Sequence, residues 1–238
     1  MSRQVDLLAI AAHRDDVEQT CGGVLIRMAE KGYRTGVLDL TAGEMGTRGD
    51  ADTRAREADD AARELLLTLR ENLGLPDARI ESTLAAKLAI AAKIRELRPR
   101  AVILPYWEGR HPDHYRTAEL GYEACFLAGL TKLDLPGKPH RPTKILYASL
   151  YTNVRPSFVV DITAQFERRL RSLFCYRSQF DDQPAGSDVF PPREEIAERV
   201  RSVAPYYGAL IGVKYGEPYV VKETMSVDDV VKMPVKSV

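Results

Sequence analysis

The chain has 238 residues, of which 45% are hydrophobic and 29% are charged. This length suits one large domain, and the composition excludes both a disordered chain and a fibrous repeat. Basic and acidic residues number 34 each, and the resulting net charge of zero argues against nucleic acid or an anionic membrane as a partner.

The cysteines and the N-terminal segment indicate the cellular compartment in which the protein is expected. Cys21, Cys125 and Cys175 are widely spaced, odd in number and form no C-x-x-C motif, so a disulfide framework is not expected. The first residues do not follow a signal-peptide pattern, and no apolar run approaches the roughly 20 residues that span a bilayer. We therefore expect a soluble, cytoplasmic protein.

Strand-like and helix-like segments alternate through the first two thirds of the chain. The strand-like segments are short apolar runs with β-branched residues, which is typical of strands buried on both faces. The helical segments are rich in Ala, Leu, Arg and Glu. In chain order the sequence predicts strand 5–11, helix 24–31, strand 35–40, helix 53–69, strand 70–75, helix 82–97, strand 101–106 and helix 114–130.

The remaining third is less regular, because three prolines follow residue 130. It predicts strands 145–150 and 157–161, helix 163–177, a loop over 184–192 and helix 194–203. The alternation as a whole predicts an α/β fold: a doubly wound, mostly parallel, Rossmann-like sheet with helices on both faces. We predict a single domain over 1–238, with a core over about 1–160 and a C-terminal extension over about 161–238.

Three polar residues with metal or proton chemistry follow the first predicted strand: His13, Asp15 and Asp16. Ligands of open parallel sheets bind at the carboxyl ends of the strands. His13 and Asp16 can face one point across a turn, which leaves Asp15 as a free carboxylate, as a metal-dependent hydrolase requires. The alternative is that the two aspartates only stabilise a helix start through its dipole.

A second polar segment, 110–114, follows the fourth predicted strand and favours the metal interpretation. In the common strand order 3-2-1-4-5 the first and fourth strands are neighbours, so both segments flank one crevice. Three of the four histidines of the chain lie in these two segments. Two histidines and an aspartate with one open position describe a catalytic Zn²⁺ site, although Fe²⁺ or Co²⁺ would also accept such ligands.

The two segments resemble the motifs of a known family. His13, Asp15 and Asp16 with Gly22-Gly23, followed by the run 111–114 (His-Pro-Asp-His), resemble the LmbE-like (PIG-L) zinc deacetylases, which remove an acetyl group from N-acetylglucosamine moieties. The stretches 72–77, 105–107, 176–180 and 212–219 resemble the branch of the family that acts in bacillithiol biosynthesis on N-acetylglucosamine–malate.

The resemblance implies roles for individual residues. It implies that His13, Asp16 and His114 bind Zn²⁺, and that Asp15 is the general base. It further implies the roles of two residues in the second segment: His111 as the group that donates to the oxyanion or to the leaving amine, and Asp113 as the carboxylate that orients a histidine.

Three further residues are candidates for substrate binding. Arg54 and Glu44 match positions that line the sugar site in the family. Arg110, next to the second motif, is predicted to bind a malate carboxylate bidentately; a surface ion pair is the equally weighted alternative.

One position departs from the family pattern. Proline usually follows the first histidine, and here Arg14 stands in its place. We expect its side chain to turn away from the site, because a buried cation beside a metal ion would be costly.

The sequence therefore predicts a zinc-dependent amide hydrolase acting on a small-molecule amino-sugar glycoside, first of all N-acetylglucosamine–malate. One alternative is a deacetylase of another amino sugar, such as a mycothiol precursor or a chitobiose-like substrate. Another is a Rossmann-like domain that binds a metabolite without catalysis. The resemblance also implies a homo-oligomer, either a trimer or a hexamer.

Overall fold

A computed structural model of the chain describes residues 3–150, 152–181 and 191–235. Its main sheet has five parallel strands in the order β3-β2-β1-β4-β5. They are β1 (Leu7–Ala11), β2 (Thr35–Thr41), β3 (Leu69–Leu75), β4 (Ala101–Pro105) and β5 (Lys144–Ala148). The predicted α/β fold, with its parallel sheet and the neighbouring first and fourth strands, is confirmed.

Helices cover the sheet, and a second small sheet follows it in the chain. The helices are α1 (Asp16–Thr20), α2 (Gly22–Glu30), α3 (Ala51–Glu64), α4 (Leu84–Leu97), α5 (Pro112–Ala128), α6 (Phe166–Leu173), α7 (Arg177–Phe180) and α8 (Arg193–Ala209). Strands β6 (Phe158–Asp161) and β7 (Gly216–Tyr219) pair antiparallel. Among the described residues, no helix has the length and apolar character needed to cross a bilayer.

The central strand β1 is buried on both faces. Leu8 and Ile10 lie in a hydrophobic cluster that also contains residues of α4 and α5. Leu7 and Ala9, which point to the opposite face, belong to a second cluster with residues of α2 and α6. Because side chains alternate along a strand, this two-sided packing fixes the register of β1 and therefore the position of the loop that follows it.

Helix boundaries differ from the predictions where local backbone geometry decides them. The predicted helix 53–69 begins earlier, at Ala51, because the Asp50 side chain accepts a hydrogen bond from the Thr53 N–H at 2.6 Å. It ends at Glu64, since Leu66 adopts a left-handed backbone conformation with φ of 58°. The predicted helix 163–177 is shorter and is followed by a separate turn of helix, α7.

Strand β7 was not predicted, and the predicted strand 157–161 joins it in the second sheet instead of the main one. The Gly-Glu-Pro-Tyr sequence of β7 contains two residue types that strands disfavour, so its pattern does not indicate a strand. The predicted loop 184–192 falls almost entirely outside the described residues.

A buried carboxylate of β7 caps the first turn of α2. Glu217 accepts hydrogen bonds from the N–H groups of Gly23 at 2.7 Å and Val24 at 2.8 Å, and Arg169 pairs with it at 3.3 Å. Glycine is required at position 23, because a Cβ atom there would lie 2.7 Å from Glu217 Oε1. Arg169 also donates to the Glu18 carbonyl of α1, so the C-terminal part of the chain holds both helices that follow β1.

We predict that Glu217→Gln lowers the free energy of unfolding by about 1–3 kcal/mol, because an amide can accept from only one of the two N–H groups and leaves Arg169 without its counter-charge. Urea denaturation at pH 8 measures this, since burial raises the pKa of Glu217 above its usual range. The control is Glu223→Gln, at an exposed position of the same region. Equal stability of the two variants would contradict the capping role.

Candidate metal centre and active site

The loop after β1 brings two side chains into one buried position. His13 lies two residues after the end of the strand, and Asp16 begins α1. The His13 N–H donates to Asp16 Oδ2 at 2.9 Å, which ties the two residues together across the turn. Both are buried, with 9% and 7% of their surface exposed.

His114, in the first turn of α5, completes a set of three side chains that carry metal-binding atoms. Its Nε2 lies 3.1 Å from Asp16 Oδ1 and 3.3 Å from His13 Nδ1, while His13 Nδ1 lies 3.5 Å from Asp16 Oδ2. Ligand atoms about 2.0–2.2 Å from one tetrahedral ion are separated by about 3.3 Å. Two imidazoles and a carboxylate with this spacing fit a divalent transition-metal ion, and the donor types suit Zn²⁺, Fe²⁺ or Co²⁺.

The other ring nitrogen of His13 faces two carboxylates. Its Nε2 lies 3.1 Å from Asp77 Oδ1 and 3.5 Å from Asp113 Oδ2. A proton on Nε2 can be donated to these oxygens. The lone pair of Nδ1 is then directed toward Asp16 and His114. Carboxylates in this position orient metal-binding histidines and increase their basicity.

Asp77 is the site residue that the sequence analysis missed. It follows β3 in the chain and accepts hydrogen bonds from the N–H groups of Met45 at 2.9 Å and Ala78 at 2.8 Å. Burial alone would raise the pKa of Asp77, but these bonds and the one from His13 outweigh burial and lower the pKa to about 2. Its place after the third parallel strand, at the same edge of the sheet as His13, is the signal that could have identified it.

Asp113 faces the same ring nitrogen of His13 as Asp77 does. Its Oδ2 accepts from the Ala78 N–H at 2.8 Å, and the residue is only 1% exposed. Burial would raise the pKa of Asp113, whereas hydrogen bonding to His13 and to the Ala78 N–H lowers it below the usual value. Asp113 is therefore ionised and lies where it can orient His13.

The cluster has an excess of negative charge. Burial would lower the pKa of His13, but Asp16, Asp113 and Asp77 outweigh it and hold that pKa well above the usual value. Asp16 shows the complementary effect, since the neighbouring His114 and His13 lower its pKa against the effect of burial. A buried group of carboxylates that stabilises positive charge on His13 is electrostatically suited to a cation.

His111 lies beside His114, and its pKa is shifted in the opposite direction from the pKa of His13. It caps α5, with its Nδ1 accepting from the Asp113 N–H at 3.3 Å. Its ring stacks on that of His114, with centroids 4.7 Å apart. Burial, followed by the charges of His13 and His114, lowers the pKa of His111. A neutral ring whose Nδ1 accepts carries its proton on Nε2, which makes His111 a hydrogen-bond donor on that side.

Asp15 is oriented by an arginine instead of by the histidines. Its Oδ1 accepts from Arg54 Nη2 at 2.8 Å, and its Oδ2 accepts from Gln19 at 3.4 Å. Arg54 is buried with 4% exposed, and it also donates to the Gly43 carbonyl at 3.1 Å. Gly43 has a left-handed φ of 73°, and a Cβ atom there would overlap the guanidinium. The structure thus places Arg54 against Asp15.

The backbone of the first loop rests on a buried ion cluster. The Arg14 carbonyl accepts hydrogen bonds from the Arg70 guanidinium and from the Tyr176 hydroxyl. Arg70 is paired with Glu18 at 2.6 Å and Asp39 at 2.7 Å. This network fixes the peptide group immediately before Asp15.

Three other side chains named in the sequence analysis belong to the loops around the cluster or to the segment next to it in the chain. The Arg14 guanidinium donates to the Ala51 carbonyl at 2.6 Å, turned away from the histidines as expected. Glu44 is exposed and accepts from the Asp77 N–H at 2.8 Å. Arg110 is exposed in the loop ahead of His111.

Comparison with known proteins identifies relatives over most of the chain. Residues 8–125, which include both loops of the cluster, match the family model PIG-L, GlcNAc-PI de-N-acetylase. The chain is 30% identical over 226 residues to the diacetylchitobiose deacetylase of Thermococcus kodakarensis, covering 89% of this chain and 80% of that protein.

Solved structures give the same result. The conserved protein TT1542 from Thermus thermophilus superposes with a TM-score of 0.86 at 37% identity, over 94% of this chain and 98% of that one. The N,N'-diacetylchitobiose deacetylase from Pyrococcus horikoshii, complexed with an inhibitor, has a TM-score of 0.79 at 28% identity, over 90% of this chain and 82% of that one.

We predict that Asp77→Asn weakens Zn²⁺ binding about 10- to 100-fold, because the amide removes the negative charge that orients and polarises His13. Competition with a fluorescent zinc chelator measures the dissociation constant. Asp134→Asn, at an exposed position, is the matched control. Unchanged affinity in Asp77→Asn would show that Asp77 has no part in a metal site.

Proposed function

Since the chain belongs to the PIG-L de-N-acetylase family, we propose that it is a metal-dependent deacetylase that hydrolyses the N-acetyl group of an N-acetylglucosamine glycoside. The observation that carries this proposal is the convergence of His13, Asp16 and His114, whose pairwise distances, measured to one or the other Asp16 oxygen, are 3.1–3.5 Å. Asp15 precedes Asp16 in the chain, and the His111 ring stacks on that of His114.

We assign His13, Asp16 and His114 as the ligands, and Zn²⁺ as the first candidate for the ion, with Fe²⁺ as the alternative. Such an ion polarises an amide carbonyl and lowers the pKa of water from 15.7 towards about 7. Asp77 and Asp113 keep the His13 ring in the orientation and tautomer that this binding requires.

Asp15 is the proposed general base. It is a carboxylate next to a ligand, and Arg54 and Gln19 hold it without occupying either oxygen fully. In this role it accepts a proton from the attacking water and then delivers that proton to the departing amine nitrogen. The ion pair with Arg54 at 2.8 Å fixes the direction of the Asp15 carboxylate.

His111 is the proposed electrophilic partner. Its Nδ1 is engaged by the Asp113 N–H, so its Nε2–H is the donor available to the acetamide oxygen as that oxygen becomes negative. The lowered pKa keeps the ring neutral near pH 7. A neutral donor stabilises the developing charge without adding a cation beside the metal.

The sugar part of the substrate is proposed to contact the exposed rim. Glu44 and Arg110 lie there, and a guanidinium suits an aglycone with carboxylates, as in N-acetylglucosamine–malate. A second candidate is diacetylchitobiose, because two relatives are diacetylchitobiose deacetylases. Both compounds present the same N-acetylglucosamine group to the site.

We predict that Asp15→Asn lowers kcat about 10²- to 10⁴-fold, because the amide cannot accept the proton. His111→Gln is expected to lower kcat about 10²- to 10³-fold through loss of the donor to the oxyanion. Acetate release by zinc-loaded protein measures both, with metal content checked for each variant. Asp59→Asn, at an exposed position, and His140→Gln are the controls. Near-normal turnover in either site variant would refute the role given to that residue.

We predict that the purified protein releases acetate from N-acetylglucosamine–malate, loses this activity in a chelator and regains it when Zn²⁺ is added back. Diacetylchitobiose and free N-acetylglucosamine are assayed beside it. A higher kcat/KM for diacetylchitobiose would reject the malate glycoside in favour of the second candidate. Activity that persists in the chelator would reject metal-dependent hydrolysis.

A further inference from the structure

Two cavities of very different size lie next to each other, and only the smaller one borders the proposed metal ligands. The smaller has a volume of about 20 Å³ and is bordered by Asp16 and His114. The larger has a volume of about 280 Å³ and is lined by α1, α8 and the segment after β5. Thr20 and Leu150 line both cavities and therefore form the wall between them.

The small cavity is mostly apolar. Its deepest lining comes from Ala11, Val17, Cys21, Ile103 and Ala148, each at most 2% exposed. The polar lining side chains belong to the metal ligands and to half-buried or exposed residues of the rim. The Thr20 hydroxyl donates to the Asp16 carbonyl at 2.9 Å, so its hydrogen-bonding capacity is used within α1.

Its size corresponds to a single small group. A volume of about 20 Å³ admits little more than one water-sized probe. Ala11, Ile103 and Ala148 lie in or at the ends of strands β1, β4 and β5 of the main sheet, so this part of the lining cannot move without disturbing the sheet. Leu150, in contrast, is half-buried and lies beyond the end of β5.

In the proposed reaction, the methyl group of the substrate's acetamide lies next to Asp16 and His114. A carbonyl oxygen that reaches an ion held by Asp16 and His114 carries its methyl group two bonds away, within about 4–5 Å of the same ligands. The cavity that borders these ligands is apolar and of methyl size.

We infer that the small cavity is the pocket for the methyl group of the substrate's N-acetyl, and that Leu150 and Thr20 limit the length of the N-acyl chain. This inference rests on the proposed function. A propionyl or butyryl chain must displace Leu150 or Thr20, whereas removal of the Leu150 side chain joins the pocket to the larger cavity and provides the space.

The test compares N-acetyl and N-butyryl glucosaminides with the same aglycone, using metal-loaded protein. One methylene in an apolar pocket changes kcat/KM about 10- to 200-fold, so the native protein is expected to prefer N-acetyl by at least about 100-fold. Leu150→Ala is expected to reduce this preference at least tenfold. Thr20→Ala is also expected to reduce it. Leu210→Ala, at an exposed position of the chain, is the matched control and should leave the preference unchanged.

Binding is measured separately, by calorimetric titration with acetohydroxamate and butyrohydroxamate. The native protein is expected to bind acetohydroxamate at least tenfold more tightly, and Leu150→Ala to lose this difference. Equal kcat/KM for the two amides in the native protein, or a Leu150→Ala preference equal to that of Leu210→Ala, would overturn the inference. If no amide is hydrolysed, the proposed function fails, and the titration still decides the pocket: discrimination supports it and equal affinity refutes it.

Discussion

Parallel pairing of β1 with β4 is the constraint on which the candidate site depends. His13 and His114 are 101 positions apart in the chain, yet their ring nitrogens lie 3.3 Å apart, because the two strands end side by side at one edge of the sheet. Both faces of β1 are covered by packed side chains, so its register cannot slip without moving apolar groups into water. The donor atoms are positioned by the core and not by the loops alone.

The side chains that carry the metal-binding atoms are held in place by a chain of hydrogen bonds that starts at the backbone. Backbone N–H groups of Met45 and Ala78 hold the carboxylates of Asp77 and Asp113, and those carboxylates hold His13. Such bonds compensate the cost of burying charged groups that would otherwise be unstable in the interior. Beneath the loop that follows β1, Arg70 pairs with Glu18 and Asp39 and in the same way compensates the cost of burying these two carboxylates. The result is a rigid cluster whose charge favours a cation.

Sequence patterns predicted the features that depend on local composition and on general rules of topology. The alternation of apolar runs and helical segments predicted a parallel sheet. The common strand order 3-2-1-4-5, together with the rule that ligands bind at the carboxyl ends of strands, placed His13 and His114 at one crevice. The contacts of Asp77 and Arg54 were not predicted, because each depends on a side chain that meets a partner from a distant segment. Strand β7 was missed for a related reason: its pairing with β6, and the burial of Glu217, compensate a sequence with poor strand propensity.

The most direct test of this account is the position of a bound ion in crystals grown with Zn²⁺, located by anomalous diffraction at the zinc edge. The account predicts one strong peak at about 2.0–2.2 Å from His13 Nδ1, an Asp16 carboxylate oxygen and His114 Nε2, with His13 Nε2 still facing Asp77. A peak on His13 Nε2, or no peak between these three residues at full zinc content, would contradict it.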